Sequence, residues 1–273
     1  MVADLKQNAY GKHVSNLGGL IAYDIGKHLH IPAFVVDPVV VDELEPVARI
    51  SGLPELPRKS IFHALNQKAV ARMAADEMQT KYENTNFIVV HMGFGITIGA
   101  HQKGSVIDVN NGLNGEGPFS TTRAGSLPVG DLMNWCLSKG YGINEISEQL
   151  FFRSGLRAYL DTDDIEIVET KIEHGDQYAK LIYEAMAYQI SKEIGAVSVA
   201  LCGQVDAIVL TGMLAHQKRL TSFISRRVEW IADTLVYPGE YVMPALAAGA
   251  LRILKGEEIA KHYKRIREEQ YGD

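Results

Sequence analysis

An arginine closing a glycine-rich loop and a histidine followed by two closely spaced glycines are the features of this chain best suited to phosphate chemistry. Gly115-Glu-Gly-Pro-Phe-Ser-Thr-Thr-Arg123-Ala-Gly125 delivers one guanidinium from a segment with little side-chain bulk. An always-charged planar donor suits stabilisation of a transferring phosphoryl group. Composition alone also fits a surface loop with a solvated arginine. In His91-Met-Gly93-Phe-Gly95, small residues let backbone N–H groups approach a phosphate. The same tripeptide is equally an ordinary hairpin turn, with His91 packed in a core. Val209-Leu-Thr-Gly212 ahead of a helix has the form of a nucleotide contact, or of a plain connection. Asp37 closes the apolar run Pro32 to Asp37, where an acid often holds Mg²⁺ together with waters and phosphates, or caps the segment after Pro38. His63, in Phe62-His-Ala-Leu-Asn-Gln67, falls on the amphipathic face of an expected helix, where packing explains it as well as chemistry does. A metal-dependent hydrolase built on His28, His30, His63 and His91 lacks an acid at ligand spacing.

The elements that must position these groups follow from periodicity. Val14 to His28 and Ser60 to Met78 carry apolar residues at helical spacing. Pro32 to Asp37 reads as a buried strand. Asn86 to His91, Ile96 to Gln102 and Ser105 to Asn110 read as three strands joined by tight turns, hence an antiparallel meander. Helices are expected over 129–139, 143–151 and about 176–202. A buried strand is expected at Asp206 to Gly212, then helices over 214–234 and 244–255. Helices alternating with buried strands imply an α/β fold, and the meander requires a mixed sheet with flanking helices.

The 273 residues suffice for two domains. The net charge of −6 argues against nucleic acid as a partner, since phosphate contacts need clustered Lys and Arg. The basic run Lys261 to Arg267 is interleaved with Glu and reads as a solvated helix face. Cys136 and Cys202 are too far apart in sequence for a C-x-x-C motif, so neither a disulfide framework nor structural zinc is expected. Apolar stretches are broken well before about 18 residues and the start is polar, so no membrane span or signal peptide is expected and the compartment is cytoplasmic.

Taken together, several blocks carry a closer resemblance. Gly11-Lys-His13-Val-Ser-Asn16, Ile31-Pro-Ala-Phe-Val-Val-Asp37, Arg58-Lys-Ser-Ile-Phe-His63-Ala-Leu-Asn-Gln-Lys-Ala69, Val106-Ile-Asp-Val-Asn-Asn111 and Gly115-Glu-Gly-Pro-Phe-Ser120 resemble the butyrate kinases, within the acetokinase family. The resemblance runs from about His13 to Lys261. It implies an actin-like ATPase fold of ribonuclease-H-like domains. It also implies reversible transfer between ATP, with Mg²⁺, and a short-chain carboxylate such as butyrate, giving the acyl phosphate and ADP. By position, Arg123 and His63 would contact the transferring phosphoryl group and Asp37 would help place Mg²⁺. His91, Gly93 and Gly95 would line the phosphate hairpin, and Gly212 would lie under adenosine. His13 and Asn16 would flank the carboxylate, with Phe62 a wall for the acyl chain. A homo-oligomer is implied as well.

Against that pattern, the family's first strand and first phosphate hairpin have no counterpart here. The expected organisation is therefore 1–37 as part of an N-terminal domain, 38–243 as the complete nucleotide-binding domain, and 244–273 as a helix returning to the first. Phe94 replaces a smaller residue in the hairpin, and Met213 a glycine after Gly212. Gly239-Glu240-Tyr241-Val242-Met243 stands where an acidic pair is usual, with Glu240 a substitute shifted in register by one or two positions. Met213 would be strained if its position needs positive φ. These departures keep open a second reading, a non-catalytic relative that acts by binding or assembly. The helices near Leu17–Ile25 and after Pro244 are expected to expose apolar surface.

Overall fold

The computed structural model describes residues 1–7, 9 and 15–261. Its helices are α1 (Val2–Gln7), α2 (Ser15–Leu29), α3 (Ala64–Glu77), α4 (Val129–Lys139), α5 (Ile143–Phe152), α6 (Gly155–Leu160), α7 (Ile165–Glu173), α8 (Gln177–Ser198), α9 (Lys218–Val228) and α10 (Val242–Leu254). Its strands are β1 (Asn86–Met92), β2 (Ile96–Gln102), β3 (Ser105–Val109), β4 (Ala207–Gly212) and β5 (Thr234–Pro238). The chain divides into two compact units, residues 39–241 and residues 1–38 with 242 onward.

The larger unit is built on one sheet of order β3-β2-β1-β4-β5. β1–β2 and β2–β3 are antiparallel, while β1–β4 and β4–β5 are parallel, so the sheet is mixed as the meander requires. β1 alternates faithfully: Ile88, Val90 and Met92 face one layer, Phe87 and Val89 the other. On the first face, α8 supplies Tyr183, Met186, Ile190 and Ile194, which recur at helical spacing, and α6, α7 and α9 complete the layer. On the second, α3 lays Val70, Ala71, Ala74 and Ala75 against the sheet. Small residues there let α3 sit close, which matters because its first turn enters the site. Asp164 and Asp176 cap α7 and α8 by accepting from backbone N–H groups of their first turns.

Several expectations change. Ser60 to Phe62 is extended rather than helical, because Phe62 N–H donates to Val39 O at 3.2 Å and Ser60 Oγ to Val41 O at 2.6 Å. α3 therefore begins at Ala64, and His63 occupies its N-cap position instead of its side. The helix expected to run to residue 234 stops at Val228, and β5 comes next; Pro238 reads as a turn in sequence but is tolerated at the end of an edge strand. α6 and α7 escaped the periodicity reading because each is short.

In the smaller unit, α1 packs on α2, where Gly19 makes room for Leu5. Gly249 of α10 similarly lets Val36 approach. Pro32 to Asp37 is not a strand, and none of its residues is buried. Backbone groups of a strand need a paired neighbour, and among the described residues this unit holds no other strand. Asp37 instead adopts a left-handed φ of 37°. The expected apolar exposure is present: Leu17, Ile21 and Ile25 on α2 and Met243, Leu251 and Leu254 of α10 are exposed.

Candidate active site

The site lies in the larger unit, where the ends of β1 and β4 meet the first turn of α3 and the loop of residues 110–125. Parallel pairing sets His91 beside Thr211. Past Thr211, Gly212 takes φ +89°, and a Cβ there would collide with the Met92 carbonyl, so only glycine passes this point. Gly212 and Gly239 exchange backbone hydrogen bonds at 3.1 Å, tying the ends of β4 and β5 together. The Gly239 carbonyl also accepts from Asn66 Nδ2 at 3.2 Å and Thr211 Oγ1 at 3.3 Å.

That carbonyl orients His91. Because it can only accept, Asn66 must present its amide nitrogen to Gly239 and its oxygen to His91 Nδ1, 2.9 Å away. Nδ1 therefore carries the proton. Burial holds His91 well below the ordinary histidine pKa, with neighbouring His63 acting in the same direction. Neutral His91 thus turns an Nε2 lone pair toward Glu240 Oε1 at 3.5 Å. Two acceptors facing each other are relieved by a proton or a cation, and burial raises the Glu240 pKa accordingly. Asn66 itself carries no signal in sequence beyond its spacing, since His63, Asn66 and Gln67 fall within one helical turn of each other.

His63 stacks on His91 with ring centroids 3.7 Å apart and planes 12° from parallel. Desolvation and then the charge of Arg123 push its pKa down to about 4. Both rings are neutral near pH 7, as face-to-face stacking of two imidazolium ions would be costly.

The Arg123 loop is fastened at many points. Asn110 Oδ1 accepts from Ile98 N–H at 2.7 Å, and its Nδ2 donates to Ile96 O and Glu116 O. Ser120 Oγ accepts from Arg123 N–H at 3.1 Å and donates to Phe94 O, so one hydroxyl joins loop to hairpin. Arg123 Nη1 donates to Gly112 O. The guanidinium lies so close over Gly95 that a Cβ there would overlap it. Gly95 thus serves by its absent side chain and not by its backbone angle, since neither Gly93 nor Gly95 has positive φ. Arg123 is desolvated, which lowers its pKa, yet a guanidinium stays charged.

Phe94, at the hairpin tip, is 70% exposed. Met213 is 55% exposed and has no positive φ, so the strain considered for it is absent. Phe62 is 3% exposed and packs with Leu44, Val106 and Val109, facing that cluster. His91, Gly93, Gly95, His63, Arg123 and Gly212 are brought together in this unit. Asn16, on α2, and Asp37 belong to the smaller unit. His13 lies outside the described residues. Among the described residues no three His, Cys, Asp or Glu side chains form a metal cage, and no helix is long and apolar enough to cross a membrane.

Two neutral histidines, a desolvated arginine and a carboxyl group gather around a glycine hairpin on a mixed α/β sheet of the actin-like ATPase fold. The chain belongs to the acetokinase family of carboxylate kinases, whose model matches residues 55–221. Among solved structures it is similar to acetate kinase from Porphyromonas gingivalis, at 23% identity and a TM-score of 0.79, over 93% of this chain and 72% of that one. It is also similar to a propionate kinase from Francisella tularensis at 22% identity and TM-score 0.62, over 80% and 61% of the two chains. Acetate kinase from Entamoeba histolytica matches at 16% identity and TM-score 0.67, over 76% and 63%. The chain thus spans about six- to seven-tenths of the length of these structures, whose likeness establishes the fold.

Proposed function

We propose that this chain carries the phosphoryl-transfer site of an ATP-dependent kinase for a short-chain fatty acid, butyrate, forming butyryl phosphate and ADP reversibly. The observation that carries this reading is the placement of Arg123 against Gly95 beside the stacked His63–His91 pair. A fixed guanidinium and a neutral imidazole donor can stabilise the charge on a transferring phosphoryl group without covalent chemistry. Arg123 neutralises the equatorial oxygens and His63 donates one hydrogen bond to them. His91, Gly93 and Gly95 line the phosphate hairpin, and Gly212 leaves room for the nucleoside. The larger unit offers one carboxyl group at this spot, Glu240, facing the His91 lone pair. That donor set fits Mg²⁺, which takes one or two carboxylates and fills its shell with water and phosphate oxygens. Glu240 would be this unit's ligand to the ion, which would supply charge neutralisation between phosphate groups; Asp37, in the smaller unit, is assigned to Mg²⁺ placement by the family resemblance alone. His13 and Asn16 are assigned to the carboxylate side.

In this reading residues 38–243 form the nucleotide-binding domain, and residues 1–37 and 244–273 belong to a second domain. The exposed apolar faces of α2 and α10 are the basis for proposing homo-oligomeric assembly. No nucleic acid or membrane partner is proposed, and the compartment is taken as cytoplasmic.

The test is acyl-phosphate formation from Mg-ATP with butyrate, propionate or acetate, trapped as the hydroxamate. Turnover highest with butyrate supports the proposal; turnover preferring acetate relocates the substrate within the family. A second reading, a non-catalytic binding or assembly protein, is favoured by Phe94 and Met213 at the two glycine turns. It wins if no acid is phosphorylated while Mg-ATP at about 100 times its Kd still raises stability by roughly 2.7 kcal/mol.

A further inference from the structure

Behind His63 runs a buried chain of side chains that the proposed reaction does not itself use. Gln67, fully buried in α3, reaches across to β2, where its Nε2 lies 3.0 Å from Thr97 O and 2.8 Å from Thr97 Oγ1. Its Oε1 lies 3.0 Å from His101 Nε2, and His101 Nδ1 is 2.7 Å from the Tyr82 hydroxyl. At the other end, Thr97 Oγ1 is 2.9 Å from His63 Nδ1. Gly99 makes this crossing feasible, since a Cβ there would sit 2.7 Å from Gln67 Oε1 and 3.2 Å from His101 Nε2.

The direction of each bond follows from one fixed point. The Thr97 carbonyl has no proton, so the Gln67 atom facing it must be the amide nitrogen. Gln67 Oε1 is then the acceptor for His101, whose Nε2 carries a proton and whose Nδ1 accepts from Tyr82. The second Gln67 N–H points at Thr97 Oγ1. The Thr97 oxygen could accept a second proton, but the buried hydroxyl proton itself needs an acceptor, and His63 Nδ1 is the one within reach, so Thr97 donates to it. Neutral His63 then carries its proton on Nε2.

We propose that Gln67 is a positioning residue for the phosphoryl-transfer site: by donating to Thr97 it turns that hydroxyl toward His63 Nδ1, and so keeps His63 in the Nε2–H form that donates to the transferring group. The kinetic part of this inference rests on the kinase reading above; the tautomer itself does not. Asn66 sets His91 to the opposite tautomer by the same logic, so two adjacent side chains of one helical turn assign different protons to two stacked rings.

The experiment is nitrogen-15 NMR of histidine-labelled protein, with His63 assigned by its loss in His63→Gln. In the unsubstituted protein His63 is expected at least about nine-tenths in the Nε2–H form at pH 7. A predominant Nδ1–H form overturns the inference, whether or not the protein is active. Gln67→Glu places a carboxylate where the amide donated. The Thr97 hydroxyl should then turn to the introduced carboxylate and accept from His63, raising the Nδ1–H fraction several-fold. The same variant should lose about 10- to 100-fold in kcat, with KM for ATP within about twofold. An unchanged tautomer and unchanged kcat in folded Gln67→Glu overturn the positioning role. Should that variant not fold, Thr97→Ser, which keeps the hydroxyl, must retain the Nε2–H form, and its loss there counts against the proposal. If the unsubstituted protein makes no acyl phosphate, the kinase reading fails and the spectra alone decide this one.

Discussion

The loop ending at Arg123 and the hairpin ending at Gly95 face each other across a single arginine, yet they are held in different ways. The loop is fastened by side chains: Asn110 makes three bonds and Ser120 joins Arg123 to the hairpin. The hairpin is fastened by backbone, through the β1–β2 ladder and Gly93 N–H to Gly95 O at 3.1 Å. The loop therefore fixes a charge, whereas the hairpin fixes an empty space beside it. Substitutions that remove the charge and those that fill the space should both damage phosphoryl transfer, but by separable routes.

The largest effect is expected from Arg123→Ala, a fall in kcat on the order of 10³-fold, as for other arginines that neutralise transferring phosphoryl groups. Lys at this position should recover only part of it, because an ammonium cannot span two oxygens in one plane. A loss spread equally between KM and kcat would place Arg123 in ground-state binding instead. Next comes Gly95→Ala, whose Cβ overlaps the guanidinium without touching its charge. About 10²-fold in kcat is expected, with the fold intact by circular dichroism. If Gly95→Ala equals the unsubstituted protein in rate, the close packing of arginine on hairpin has no catalytic meaning.

A smaller and graded effect is expected from pH. Folding holds His63 at a pKa of about 4, below the ordinary value near 6.5, and His91 and His101 are also held low by burial. Between those values the unfolded chain binds protons that the folded chain refuses. Stability from His63 is therefore complete above about pH 6.5, declines as pH falls toward 4 and is flat below that, and His91 and His101 add a decline of the same sign as pH falls below about 6.5. Denaturant midpoints at pH 7 and pH 5 measure the slope, and His63→Gln should reduce it while His91 and His101 keep the remainder. A slope unaltered by that substitution would mean His63 titrates normally.

The strand–turn–strand of the hairpin and the arginine loop were legible in sequence because apolar alternation and glycine clusters are local signals. The mixed sheet followed from the meander for the same reason. The features that were not legible depend on long-range pairing. Pro32 to Asp37 has a strand's composition but no partner edge in its unit among the described residues, and the stretch read as a helix end at Thr234 and a turn from Tyr237 is a strand because β4 lies parallel beside it. The sequence places His63 on the side of a helix and not at its N-cap, because its position is fixed by the long-range bonds from Phe62 N–H to Val39 O and from Ser60 Oγ to Val41 O. Gln67 and Asn66 gave no sign beyond their spacing; their roles arise from a carbonyl opposite each, Thr97 and Gly239, which no local pattern encodes.

The smallest effect is expected at the residue that looked most damaging in sequence. Phe94 stands between the two glycines, yet its ring is largely in solvent and only its carbonyl is used, by Ser120. Phe94→Ala keeps that carbonyl and removes no buried area worth counting, so stability should change by less than about 0.5 kcal/mol. KM for ATP and kcat should each stay within about threefold. If Phe94→Ala or Phe94→Gly instead raises kcat/KM by tenfold or more, the ring does close over the phosphate during turnover. The hairpin would then be a damped version of an open site, and its difference from the Arg123 loop would be one of evolutionary repair as well as of fastening. Unchanged kinetics would leave the contrast as stated, a charge held by side chains against a space held by backbone.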